Sequence, residues 1–101
     1  MRFLTLTLAL PACAPSPEVQ AILDLEGDDV TGGSLYADRC TECHGESGEG
    51  GTAGAIDHPH SDASTVRTIF QGNATMPAFG DLLQDQDIAD LNAFVQASIY
   101  R

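Results

Sequence analysis

Cys40-Thr41-Glu42-Cys43-His44 decides how this chain is read, because C-x-x-C-H is the attachment signature of covalently bound c-type haem. The chemistry explains the spacing. Two thiols three positions apart on one helical turn can form thioethers to the two vinyl groups along one edge of a porphyrin, and the next residue then aims its imidazole at the iron. Cys40 and Cys43 are the expected covalent anchors of one haem c, and His44 its proximal ligand. Two other readings of these residues fit less well. A zinc site built on C-x-x-C needs two further ligands, as a second C-x-x-C or a pair of spaced histidines, and the chain offers only His58-Pro59-His60. A thioredoxin-like redox pair needs a surrounding βαβ pattern, whereas helix signals and Gly-rich loop flank this motif.

Outward from the motif the signals are helical. Leu35, Tyr36, Cys40 and Cys43 recur at helical spacing, and Asp29 is the expected N-cap. The stretch 45–54 carries five glycines in ten residues and reads as an irregular loop. It lacks the lysine and preceding strand of a phosphate-cradling loop. Ser61 or Asp62 can cap a second helix with an apolar face of Val66, Ile69 and Phe70 and a stop at Gly72. The following stretch, 73–80, cannot run helically through Pro77 and reads as a loop. In the last segment Ile88, Leu91, Phe94, Val95 and Ile99 form one apolar stripe. Asp85 and Asp87 sit in its first turn, where the helix dipole favours anions, and Leu83 can staple onto Ile88. No segment alternates as a strand and no internal repeat occurs, so the expected fold is all-α.

The N-terminal residues read differently. Residues 1–12 look like a short lipoprotein-type signal peptide: Arg2 gives a positive start, 3–10 an apolar stretch, and Leu10-Pro11-Ala12-Cys13 resembles a bacterial lipobox, with Cys13 the lipidated residue. Residues 13–28 are the expected tether and linker, with a weak helical pattern through Val19, Ile22 and Leu23, and an acidic stretch at 24–29 that lacks the spacing of an EF-hand loop. Residues 29–101 are then the haem domain.

Length and charge narrow the function. A chain of 101 residues fits one small domain and contains no 18-residue apolar run that could span a bilayer. A purely apolar core is thin at this size, so a large apolar prosthetic group would supply much of the missing buried surface. The three cysteines are accounted for without a disulfide. Fifteen Asp and Glu against four Arg and no Lys give a net charge of −11. Nucleic acid and anionic membrane surfaces, which attract basic patches, are excluded as direct partners, and membrane association would come from acyl chains on Cys13.

With these residues in place the stretch 29–100 resembles the small bacterial class I cytochromes c, the monohaem cytochrome c family. Its pattern G-x-x-x-aromatic-x-x-x-C leading into the haem motif is matched by Gly32, Tyr36 and Cys40, and its apolar residue and aromatic in the C-terminal helix by Leu91 and Phe94. Its methionine loop is matched by Met76-Pro77-Ala78-Phe79. The resemblance implies helices wrapped around one haem lying between crossed terminal helices and the methionine loop, with Met76 as the sixth ligand. The residues alone support Met76, the only methionine left once the signal is removed, and leave His58 or His60 as the alternative ligand. One departure stands out: the family's G-P-x-L after the motif, whose proline carbonyl accepts a hydrogen bond from the proximal histidine, has no proline in 51–56. Haem propionate partners are to be sought among Arg39, Arg67, His58 and His60.

The expected function is outer-sphere electron transfer in the bacterial cell envelope or periplasm, by a protein that is not itself an enzyme. The expected redox partners present a basic docking patch. The rival readings are an open-site haem sensor or peroxidase-like enzyme, in which Met76 does not bind iron, and a haem subunit fixed within a respiratory or dehydrogenase complex.

Overall fold

The computed structural model describes residues 14–56 and 58–100, and among these every regular element is helical. The signal peptide at 1–12 and Cys13 lie outside the described residues. Five α-helices follow in order: α1 (Pro17–Leu23), α2 (Asp29–Arg39), α3 (Thr41–His44), α4 (Asp62–Gln71) and α5 (Asp85–Phe94). A 3-10 turn (Phe79–Asp81) precedes α5, and a π-helical turn (Val95–Ile99) continues it. No helix among the described residues is long and apolar enough to cross a membrane.

Residues 17–23, within the stretch expected to be tether, are a docked element. Pro17 stands at the first helical position, Ser16 Oγ accepts from the Val19 N–H, and Val19 and Ile22 are each buried to 1 % exposure against the core. Helix α1 packs on α4 and α5. Two apolar residues three apart were enough to seat this helix, each worth about 1.5–3 kcal/mol once fully buried.

The framework is the crossing of α2 and α5. A Cβ on Gly32 would overlap the Asp90 carbonyl and press on Phe94 Cβ, so the two backbones approach as only a bare glycine allows. Gly27 makes a second such approach to the Ala89 carbonyl. One turn beyond Gly32, the Tyr36 ring meets Phe94 with centroids 5.2 Å apart. The cap of α2 is Asp28 rather than the expected Asp29: Asp28 Oδ1 accepts from the N–H groups of Val30 and Thr31, while Asp29 sits in the first turn. The crossing also contains a polar tie. Asp90, 5 % exposed, accepts from the Asp28 N–H at 2.8 Å and from Gln86 Nε2 at 2.9 Å, and Gln86 Nε2 reaches on to the Glu26 carbonyl.

Ser61, of the two residues offered, caps α4 by accepting from the Ser64 N–H, and Gly72 ends it. The apolar stripe of the last helix buries Ile88, Leu91, Val95 and Ile99, but the helix does not stay α-helical. At Val95 it widens into the π turn, closed by Tyr100 N–H donating to the Val95 carbonyl at 3.0 Å. The apolar spacing alone carries no mark of that change.

Candidate functional site

Between α2, α3, α4 and the π turn lies a cavity of about 680 Å³, within the range of roughly 300–1,000 Å³ usual for cofactor pockets. Cys40, Cys43 and His44 line it from the end of α2 and α3, and Met76 and Pro77 from the loop after α4. Tyr36, Ile69, Phe79, Leu91 and Val95 supply its apolar wall. The four residues singled out in the haem motif and methionine loop therefore meet at one space.

Each is placed by local structure. The chain breaks at Cys40 and restarts as the single turn α3, with the His44 N–H on the Cys40 carbonyl at 2.9 Å. Thr41 Oγ1 donates back to the Tyr36 carbonyl, tying the motif to α2. The glycine loop then folds under the motif: the Gly50 N–H bonds the His44 carbonyl at 2.7 Å and the Ala53 N–H bonds the Cys43 carbonyl at 2.9 Å. That fold brings the Gly54 carbonyl to 3.2 Å from His44 Nδ1. With the proton on Nδ1 donated there, Nε2 is left unprotonated and able to bind a metal. The missing proline of the motif's downstream pattern is thus replaced by a glycine carbonyl, delivered by the loop's own hydrogen bonds.

On the other side, Met76 is held by Asn73. Asn73 Oδ1 accepts from the Met76 N–H at 3.0 Å and the Thr75 N–H at 3.1 Å, and the Asn73 N–H bonds the Met76 carbonyl. Gly72 makes this closure possible: its φ of +68° is open to glycine, and a Cβ there would strike the Met76 carbonyl and the backbone of Pro77 and Ala78.

Electrostatics and burial fit a haem. Among the described residues lining the cavity there is no carboxylate, whereas Arg39 and His60 are both on its wall. Arg67 and His58, also considered as propionate partners, do not line it. Burial pushes the Cys40 thiol up to about 11, with the neighbouring Cys43 adding to the effect. Reactive redox cysteines have depressed values, the opposite of the direction at Cys40. Nor do three or more His, Cys, Asp or Glu side chains gather into a metal-ion site among the described residues, as a zinc site would require. Burial likewise raises the Tyr36 phenol to about 12, with the charges of Cys40 and Glu49 contributing. It stays a neutral donor, and its hydroxyl bonds the Gly45 carbonyl at 2.7 Å, directly after His44.

Sequence reasoning missed Asn73, the Gly54 carbonyl and Tyr100. Asn73 could have been found: an Asn just after a helix-stopping Gly and three residues before the loop methionine is an Asx-turn signal.

Comparison with known proteins agrees with this geometry. The family described as cytochrome c oxidase, cbb3-type, subunit III matches residues 27–95. The cytochrome c subunit of gluconate 2-dehydrogenase from Pantoea cypripedii is 32% identical over 97 residues, covering 72% of this chain and 21% of that protein. The chain thus spans about a fifth of the length of this curated relative. Among solved structures, cytochrome cL from Hyphomicrobium denitrificans superposes with a TM-score of 0.62 at 26% identity, over 67% of this chain and 45% of that one. Cytochrome c6 from the diatom Phaeodactylum tricornutum gives 0.62 at 28% identity, over 70% and 93% respectively.

Proposed function

The chain belongs to the cytochrome c oxidase, cbb3-type, subunit III family of c-type cytochrome domains, and from that premise we propose that it is a monohaem electron-transfer protein. In this reading Cys40 and Cys43 carry haem c through thioethers, and His44 and Met76 are its axial ligands. When bound, the haem supplies an iron that exchanges one electron between its ferrous and ferric states. The observation that carries the reading is one cavity on whose walls all four residues meet, with no carboxylate among the described residues that line it.

The chain's own groups fix the ligand set. The Gly54 carbonyl sets the His44 tautomer, and Asn73 with Gly72 sets the Met76 loop. Ile69, Phe79, Leu91 and Val95 supply apolar wall that would keep water from a bound haem. A His/Met pair raises the potential relative to two histidines, and two strong ligands leave no open position for oxygen or peroxide chemistry. The chain is therefore an electron carrier without substrate chemistry of its own. Met76→Ala tests the assignment. The haem stays covalently attached, the spectrum turns high-spin, the potential falls and carbon monoxide binds the reduced protein. Retention of the wild-type spectrum, or a high-spin change on replacing His58 and His60 instead, would overturn it.

The gluconate dehydrogenase relative favours a second reading, in which the same electron relay is fixed as a haem subunit of a larger dehydrogenase complex. Co-purification from the native membrane with a dehydrogenase separates this reading from a free carrier.

Location and partners complete the proposal. The protein works in the cell envelope, held to a membrane by acyl chains on Cys13 after processing at Leu10-Pro11-Ala12-Cys13. Intact mass of the native protein checks this, and an unmodified N-terminus would remove the anchor. A net charge of −11 calls for a redox partner with a basic patch. Electron exchange with such a partner slows as salt rises; equal, salt-independent rates with acidic and basic redox proteins would count against it.

A further inference from the structure

Thr65, in the first turn of α4, is 5 % exposed, and its hydroxyl stands 2.7 Å from the hydroxyl of Tyr100. Both side chains line the haem cavity. Tyr100 reaches this place because of the π turn. An α-helical end would bond its N–H four residues back, to residue 96, and send the side chain elsewhere around the axis; the five-residue turn bonds it to Val95 instead. The position is then held on two sides. The His60 ring stands edge-on to the Tyr100 ring with centroids 5.7 Å apart, and Gln96 Nε2 ties the His60 carbonyl at 3.0 Å to Thr65 Oγ1 at 3.4 Å.

The proton count at this pair is uneven. Two hydroxyls bring two O–H donors, and the bond between them uses one. Gln96 adds a further donor to Thr65 and no acceptor. Whichever hydroxyl donates to the other, the second O–H has no acceptor among the described residues, and it sits on the wall of a cavity that no carboxylate among the described residues lines. The haem brings the acceptor. Its two propionates stand on the pyrrole rings that do not carry the vinyl groups captured by Cys40 and Cys43.

We propose that the Thr65–Tyr100 hydroxyl pair donates a hydrogen bond to a haem propionate, and so acts as a positioning and potential-tuning element. The proposal rests on the haem occupying the cavity as described under the proposed function. Among the described residues, Arg39 and His60 are the other charged or titratable groups on the wall outside the motif and Tyr36. A donor to a carboxylate favours its ionised form and spreads its negative charge. Without the donor, the propionate takes up a proton at higher pH, and its more concentrated charge favours ferric iron.

The test is the midpoint potential of the holoprotein followed from pH 5 to 9, with the optical spectrum recorded at each point. In Tyr100→Phe, which keeps the ring against His60, the low-spin spectrum stays as in the wild type. The pH at which the potential begins to change moves up by about one unit. Thr65→Val shifts it in the same direction, and Thr65→Ser keeps the wild-type profile. A wild-type profile in both Tyr100→Phe and Thr65→Val overturns the proposal, as does a profile that moves only in Arg39→Ala. Should Tyr100→Phe not load haem, the Thr65→Val and Thr65→Ser pair decides alone. Failure of the axial assignment would show in the spectrum of the unsubstituted protein, and failure of this inference in the pH profile with that spectrum intact.

Discussion

The α2–α5 crossing and the Met76 loop hold the two ends of the same site by different means. At the crossing, contacts join residues some sixty positions apart: Gly32 against the Asp90 carbonyl, Tyr36 against Phe94, Asp28 onto Asp90. Gly32, Tyr36 and Asp90 are buried there, and the chain supplies both partners of each contact. In the loop, Asn73 Oδ1, Thr75 and Met76 bond to one another within three residues, and Asn73 to Thr75 are exposed. One region sets the global register of the fold, and the other sets only the aim of a side chain. A small domain can afford this division when a prosthetic group completes its core. Substitutions at the crossing should therefore act on folding, and substitutions in the loop on ligation.

Gly32→Val breaks the crossing most severely. Its side chain would occupy the space of the Asp90 carbonyl and Phe94 Cβ, both fixed by helix α5. The expected loss exceeds about 4 kcal/mol, in the class of overpacked buried sites, and is read from guanidinium unfolding of the holoprotein or from its failure to accumulate. A variant within about 1 kcal/mol of wild type, the ordinary scale of point substitutions, would show that the helices part freely and that the crossing is not the framework. Gly33→Ala sharpens the point. Its Cβ would meet only the edge of the Phe94 ring, at 3.1 Å, a side chain that can shift.

Asp90→Ala comes next. It strands the Asp28 N–H and releases Gln86 from one of its two acceptors, at a cost of about 2 kcal/mol for hydrogen bonds to a charged group. Asp90→Asn keeps one acceptor oxygen and should lose less. Denaturation midpoints of the two variants check the order. Equal midpoints for Asp90→Ala and wild type would mean that packing alone holds the crossing.

The same division explains what could be read in the sequence. Glycine, aromatic and cysteine at 32, 36 and 40 carry a crossing because close approach, ring contact and haem attachment each demand a residue type at a fixed helical spacing. The helix stop at Gly72 and the break at Pro77 were legible for the same reason. Less was legible where backbone groups do the work. The Gly54 carbonyl on His44 has no side-chain signature, since any residue carries a carbonyl, and only the folded glycine loop brings it there. The widening at Val95 leaves the apolar stripe intact, so the spacing that announced an α-helix was satisfied by a π turn as well. Helix α1 carries the weak helical pattern of Val19, Ile22 and Leu23 inside a stretch expected to be tether, and its two buried side chains dock it against the core.

The smallest expected effect separates the two regions most cleanly. Asn73→Ala removes the acceptor for the Thr75 and Met76 N–H groups but leaves α4, Gly72 and every crossing contact in place. Because Asn73 is exposed, water can take over part of its role, so the loop should loosen by only about 1 kcal/mol. Global unfolding should barely move, since a locally opened loop reports its own free energy and not that of the whole domain. With Met76 bound to the iron as proposed, ligand entry should respond: a loop freed by about 1 kcal/mol opens roughly fivefold more often, and an added ligand such as imidazole or cyanide should displace Met76 that much more readily from the ferric protein. Titrating the ligand into Asn73→Ala and into wild type, beside guanidinium curves of both, gives the two numbers needed. Unchanged ligand affinity would mean that Gly72 and Pro77 hold Met76 without Asn73, and a fall in global stability as large as that of Asp90→Ala would mean that the loop and the crossing are one cooperative unit after all.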